Sequence, residues 1–216
     1  GRHDILGSGR GMKSHQMINA LRPAYRRTWK TWERLKLLTR RGHPIIVQGI
    51  QRSGTNYLSQ LLMASEYRVL KQAYPPRDNP RHKHFRWLED KSLISMDERY
   101  QNRTTAHSIH EVNRLSGWPA DSRHVVIFRD PEGWLNAILR RGLEHSWYSS
   151  EAEFVDLVRN VDFMAEWHAY YAQWQAFAEA DPQLVYIVAF QNLRSNPSEV
   201  LAAIDEFAGI ERPSGR

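Results

Sequence analysis

The sequence runs to 216 residues, 41% hydrophobic and 25% charged, which suits one globular domain with a buried core and a cleft. It holds no cysteine, which excludes disulfides, thiolate zinc sites and thiol nucleophiles and suits a reducing compartment, so a cytoplasmic location is the default expectation. Lys and Arg outnumber Asp and Glu by 30 to 24, a balance that favours an anionic partner (nucleotide, nucleic acid, acidic glycan or anionic lipid) without choosing among them.

Residues 1–11, GRHDILGSGRG, are polar and Gly-rich ahead of Met12 and read as an expression remnant or a disordered lead. No run of about 18 apolar residues occurs and the first residues lack the apolar core of a secretory signal, so no segment is expected to span a membrane. Between residues 19 and 41, Leu21, Tyr25, Trp29, Trp32, Leu35 and Leu38 recur at steps of three and four, the spacing of one helical face. Arg22, Arg26, Arg27, Lys30, Arg34, Lys36, Arg40 and Arg41 fill the remainder. This basic amphipathic helix, assigned to residues 12–42, reads either as a peripheral membrane contact through residues 19–41 or as a helix docked on its own domain with a solvated basic face.

From residue 43 to 216 the pattern becomes alternating strands and helices. Residues 44–50, PIIVQGI, read as a buried parallel strand, followed by a glycine-containing loop and a helix carrying Tyr57, Leu58, Leu61 and Leu62. Weaker strands are expected at 67–71 and 82–86, and residues 90–121 are mainly loop with short helix. A strand at 124–130, HVVIFRD, runs into a helix opened by Pro131. Phe163, Met164, Trp167, Tyr170, Tyr171, Trp174 and Phe177 mark a long amphipathic helix, read as core with a minor share for an acceptor cleft. Residues 184–190 form another strand, after which Asn196 is expected to cap a helix with Pro197 first, Glu199 closing a capping box and Gly209 as the stop. Such alternation implies an α/β domain in three layers, a central parallel sheet flanked by helices, with ligands at the carboxyl ends of the strands.

The loop after the first strand reads Gly49, Ile50, Gln51, Arg52, Ser53, Gly54, Thr55, Asn56. It keeps both glycines of GxxxxGK[ST] but carries Thr55 in place of the lysine that a P-loop kinase sets on the terminal phosphates. What remains is a cradle of backbone amides at a helix N-terminus, with the Ser53 and Thr55 hydroxyls and the Arg52 guanidinium, suited to a compact tetrahedral anion.

In this frame the sequence resembles the sulfotransferase family, whose 5′-phosphosulfate loop has the form [KR]SGT[TSN] followed by an aromatic or aliphatic residue. Here Arg52, Ser53, Gly54, Thr55, Asn56 and Tyr57 fill it. The resemblance implies a P-loop-like fold, 3′-phosphoadenosine 5′-phosphosulfate (PAPS) as co-substrate with PAP as its product, Arg52 on the phosphosulfate and bridging oxygen, and Tyr57 against the adenine. Arginine at the Arg52 position, common in carbohydrate-directed members, points to a glycan or glycolipid hydroxyl as acceptor. Residues 125–139, VVIFRDPEGWLNAIL, are similar to the family's 3′-phosphate strand and helix, with Arg129 in the arginine place. The serine expected eight residues on is Ala137, and Asn136 next door is the substitute; a salt bridge from Arg129 to Asp130 or Glu132 is the other reading of that arginine. Near the C-terminus, Phe190, Gln191, Asn192 and Leu193 stand where the family usually has YEDL.

Sulfuryl transfer needs a base for the acceptor proton and positive charge on the leaving phosphate, and it requires no metal. The family's histidine base follows a lysine in a KxH arrangement; residues 80–85, PRHKHF, offer His84 as base with Lys83 supplying charge, and His82 as runner-up. Glu66 is the candidate for the glutamate variant, while His107 and His110 are unspecified possibilities. The rivals are a P-loop small-molecule kinase, disfavoured by Thr55, and a basic nucleic-acid or membrane-surface module; no RNP, zinc-finger or helix-turn-helix signature supports nucleic acid. Residues 100–121 and 147–154 match no motif and are the expected frame of the acceptor site. Trp87, Trp118 and Trp147 are equally readable as sugar platforms or as packing.

Overall fold

A computed structural model describes residues 38–70, 106–116, 118–160 and 163–211, together with residue 35. The chain divides into two compact units, 1–39 and 40–216, and the sheet with its covering helices belongs to the second. The elements run β1 (Arg41–Gln48), α1 (Thr55–Ala64), β2 (Tyr67–Val69), α2 (Ile109–Ser116), β3 (Arg123–Phe128), α3 (Pro131–Glu144), α4 (Glu151–Asn160), α5 (Phe163–Ala180), β4 (Val185–Ala189), α6 (Phe190–Ser195) and α7 (Pro197–Ala208). The strands pair in parallel in the order β2-β1-β3-β4. The chain therefore leaves β1 in one direction for β2 and returns on the other side for β3, which makes the β1–β3 gap the switch point where ligands of such sheets bind.

Because successive side chains of a strand face opposite ways, the two faces can be read from register. Ile45, Val47, Val125, Ile127 and Val188 meet Leu58 and Leu62 of α1 and Val200, Ile204 and Ala208 of α7 in one apolar cluster. Each fully buried aliphatic chain there contributes about 1.5–3 kcal/mol. The other face is aromatic and partly polar. Phe128 packs on Trp167 and Tyr171 of α5 at 5.4 and 5.1 Å, and His124 lies between Trp118 and Trp174 at 5.5 and 5.4 Å. The buried His124 ring bonds Gln48 of β1 at 3.3 Å and Asn113 of α2 at 2.8 Å, so a polar side chain in the core is matched on both nitrogens. Trp118 is thus packing, not a platform.

Several boundaries differ from the sequence reading. Arg41, reached by the basic helical spacing, opens β1 because it registers with Tyr67 of β2. The strand expected at 184–190 stops at Ala189, and Phe190 already begins α6. Gly209, with φ 68°, ends α7 as expected, but the Asn196 side chain makes no capping hydrogen bond. The Asn196 amide donates to Asn192 O at 2.8 Å as the close of α6, so no free N–H remains for Glu199 to complete a box. The expected strand at 82–86 and nearly all of the basic helix lie outside the described residues.

Candidate active site

Three carboxyl ends converge. β1 delivers the loop of residues 49–54, β3 delivers Arg129 and Asp130, and β4 delivers Phe190.

The loop turns back on itself through Gly49 at φ 150° and Gly54 at φ 109°. A Cβ on Gly49 would fall 2.6 Å from Ser53 Oγ, and one on Gly54 would fall 2.6 Å from Phe190 Cδ2. Glycine is therefore required twice, for conformation and for space. Arg52 also has a positive φ, 69°, which an L-residue adopts at a cost of about 1–3 kcal/mol where its surroundings hold it. Two side chains do the holding: Trp134 Nε1 donates to Gln51 O at 2.7 Å and Tyr170 OH accepts from Gly49 N at 3.0 Å. At the end of β3, Trp167 Nε1 donates to Arg129 O at 3.2 Å.

The loop ends at the N-terminus of α1, where Gly54 provides no side-chain cap and the first turn has no acidic residue. The amides of Thr55, Asn56 and Tyr57 occupy the first three helical positions and so have no intrahelical acceptor, while Leu58 N is the first to bond back, to Gly54 O at 3.0 Å. Such amides, with the helix dipole behind them, suit an anion. Ser53 departs from the sequence expectation. It is fully buried, its hydroxyl donates to Ile50 O at 2.7 Å and its amide donates to the same oxygen at 3.2 Å, so both its donors build the turn and neither is left for a ligand.

Arg52 and Arg129 supply the charge. The Nε atom of each is buried without a hydrogen-bond partner among the described residues. Arg129 Nη1 donates to Arg52 O at 3.3 Å, and its guanidinium lies over the Phe190 ring at 4.5 Å. Burial draws the Arg129 pKa down; Asp130 opposes that shift, while Arg140, Arg52 and Arg194 add to it. Burial likewise lowers Arg52, with Arg141 and Arg140 reinforcing and Glu144 opposing. Both stay protonated at any working pH, and two partly desolvated cations with orphaned donors are arranged to be completed by an anion. No salt bridge joins Arg129 to Asp130 or Glu132 among the described residues. Asp130 instead caps α3 by accepting from Gly133 N at 2.7 Å, and it also accepts from Gln191 Nε2. That second bond accounts for the amide at residue 191, because a carboxylate there would oppose Asp130.

Tyr57 is 47% exposed one turn into α1, a face open to a base. Asn136 is exposed on α3, whereas Ala137 is 1% exposed against the core. Glu66 is placed apart. It precedes β2 at the amino edge of the sheet, where a small cavity is lined by Arg41, Ser65, Glu66 and Ile210. The length of the strand layer thus separates Glu66 from the loop, which removes it as a base. His110 sits at that same edge, 3.8 Å from Asp181 ahead of β4. His84, Lys83, His82 and Trp87 lie outside the described residues. Sequence reading missed the tethers Trp134 and Tyr170; a buried indole N–H or phenol needs a polar partner, and that need was the available signal.

The donor fits these residues. A phosphosulfate or phosphate would meet the first amides of α1, uncapped by any side chain among the described residues, and the Nε atoms of Arg52 and Arg129, in a cradle whose glycines leave no room for a Cβ. A family model described as a sulfotransferase domain matches residues 43–215. No curated protein matches the chain.

Proposed function

The chain belongs to the sulfotransferase family, and from that premise we propose that the β1–β3 crevice transfers a sulfuryl group from PAPS to a hydroxyl of a carbohydrate or glycolipid. Membership makes the chain a transferase that uses PAPS as sulfate donor and an acceptor hydroxyl. The observation that carries the assignment to this crevice is the pair of unpartnered guanidinium Nε atoms, Arg52 and Arg129, beside a helix N-terminus with unpaired amides.

When bound, the donor supplies an activated sulfuryl group on a phosphate leaving group. Arg52 and the amides of Thr55, Asn56 and Tyr57 stabilise the negative charge that grows on that phosphate, and they do so without reorganising because the loop is already pinned. Tyr57 offers a face to the adenine, and Arg129 with Asn136 holds the 3′-phosphate. His84 takes the acceptor proton, Lys83 adds charge near the phosphosulfate, and His82 stands second; this part rests on the KxH order in residues 82–84 and the family resemblance. The glycan or glycolipid acceptor is supported by arginine at residue 52. The helical spacing of residues 19–38, with apolar and basic residues alternating by turns, gives the chain a membrane-surface contact suited to a lipid-linked sugar, whereas Arg41, which closes the basic run, belongs to β1. No helix among the described residues is long and apolar enough to cross a membrane.

Radiolabelled sulfate transfer from PAPS to a panel of glycans and glycolipids, run with and without magnesium, tests the reading. Transfer that does not depend on magnesium is expected, falling about 10²- to 10⁴-fold in His84→Ala. Full turnover in His84→Ala removes that residue as base. Magnesium-dependent consumption of ATP, with no binding of PAP, overturns the whole assignment.

A further inference from the structure

The 3′-phosphate grip has a gap on α3, where Ala137 is turned into the core and brings no hydroxyl. Resting on the donor site proposed above, we propose that Arg140 and Arg194 close the gap and, with Arg129 and Asn136, hold the 3′-phosphate of the nucleotide.

Both side chains stand on helices that start beside Arg129. Phe190 lies beneath the Arg129 guanidinium, and Gln191 is bonded to Asp130, so the start of α6 is fastened to the start of α3. Arg194 follows Phe190 by four residues on α6, about 6 Å along the axis on the same side of the helix. Arg140 follows Asn136 by four residues on the exposed face of α3, beside the inward Ala137. The charges of both bear on Arg129, and that of Arg140 bears on Arg52 as well.

What separates these two arginines from their neighbours is the lack of a counter-ion. The other three helical arginines among the described residues each meet a carboxylate three positions away: Arg114 with Glu111 at 3.1 Å, Arg141 with Glu144 at 3.4 Å and Arg159 with Asp156 at 3.6 Å. Arg140 and Arg194 have neither an ion pair nor a side-chain hydrogen bond among the described residues. Two exposed cations without ion-pair partners among the described residues, on helices that begin beside a third whose Nε is orphaned, make a site for a dianion.

PAPS and adenosine 5′-phosphosulfate differ only in the 3′-phosphate, and their affinities for wild type, Arg140→Ala and Arg194→Ala, measured by calorimetry without acceptor, isolate that group. Each substitution is expected to weaken PAPS by about tenfold to a hundredfold and to leave adenosine 5′-phosphosulfate within about twofold, with unchanged melting temperature because both side chains are exposed. A variant that keeps the wild-type ratio of the two affinities overturns the assignment. So does an equal loss for both nucleotides, which would put the arginines on the 5′ end. Wild type that tells the two nucleotides apart while the variants do so equally well sinks this inference alone, whereas wild type that binds neither sinks the donor site with it.

Discussion

Replacing Gly54 by alanine tests whether the loop is held by its neighbours as tightly as its contacts imply. At φ 109° an L-residue is strained by about 1–2 kcal/mol, and the new Cβ would sit 2.6 Å from Phe190 Cδ2, an overlap that costs a further ~1–3 kcal/mol in a packed setting. Phe190 can relieve the overlap only by moving from beneath Arg129. The variant should lose about 2–5 kcal/mol, a fall in melting temperature on the order of 10 °C for a domain of this size, and PAP affinity should drop about tenfold or more. Gly209→Ala is the control. It has a similar strain at φ 68°, but its Cβ would meet only His43 Cδ2 at 3.4 Å, an ordinary contact far from the crevice, so a loss of about 1 kcal/mol with wild-type PAP affinity is expected. Thermal melts and PAP calorimetry on the pair decide the matter. If Gly54→Ala melts with Gly209→Ala and binds PAP as wild type does, the loop is not pressed against Phe190 and the reasoning fails.

Gly142→Ala should destabilise by several kcal/mol in urea titration, since a Cβ on α3 there would overlap the Tyr148 ring, whose hydroxyl donates to Ile138 O at 2.6 Å. Burial pushes the Tyr148 phenol up from 10.0 to about 12. A folded-state value above the unfolded one means that this stabilisation is complete below pH 10 and is lost as the pH rises towards 12, so the stability gap between wild type and Tyr148→Phe should shrink across that window. Gln191→Glu sets a second carboxylate against Asp130 and should cost about 1–2 kcal/mol at neutral pH. Like charges raise the pair above its unfolded value, so urea midpoints should recover as the pH falls through the carboxylate range.

Much of the scaffold was legible because parallel strands write themselves as branched apolar runs: residues 45–47 and 125–127 are fully or almost fully buried where the sequence read strand. The cradle was legible because its glycines are forced by geometry, Arg129 because it directly follows such a strand, and Arg52 because it lies in the glycine loop after one. Helix starts were read less well. Residues 147–154 matched no motif, yet Glu153 N donates to Ser150 Oγ at 3.2 Å and Glu153 Oε2 accepts from Ser149 N at 2.7 Å, a near-relative of the capping box at the head of α4. Ser108 and Glu111 repeat the arrangement before α2, at 3.2 Å and, from His107 N, 2.9 Å. The one box that was expected, at Asn196, is blocked because a single residue both ends α6 and begins α7. Capping depends on whether the donor is already engaged, and that is a matter of what precedes it in space. Glu66 has the right chemistry as a residue type but carries no sign of its place; only strand direction shows that it sits at the wrong end of the sheet.

β4 passes into α6 with nothing between Ala189 and Phe190. That junction therefore acts as a ruler. One inserted residue would swing the phenyl group by about 100° around the helix axis and shift it by roughly 1.5 Å, withdrawing the cushion from Arg129 and turning Arg194 elsewhere, even with every original side chain still present.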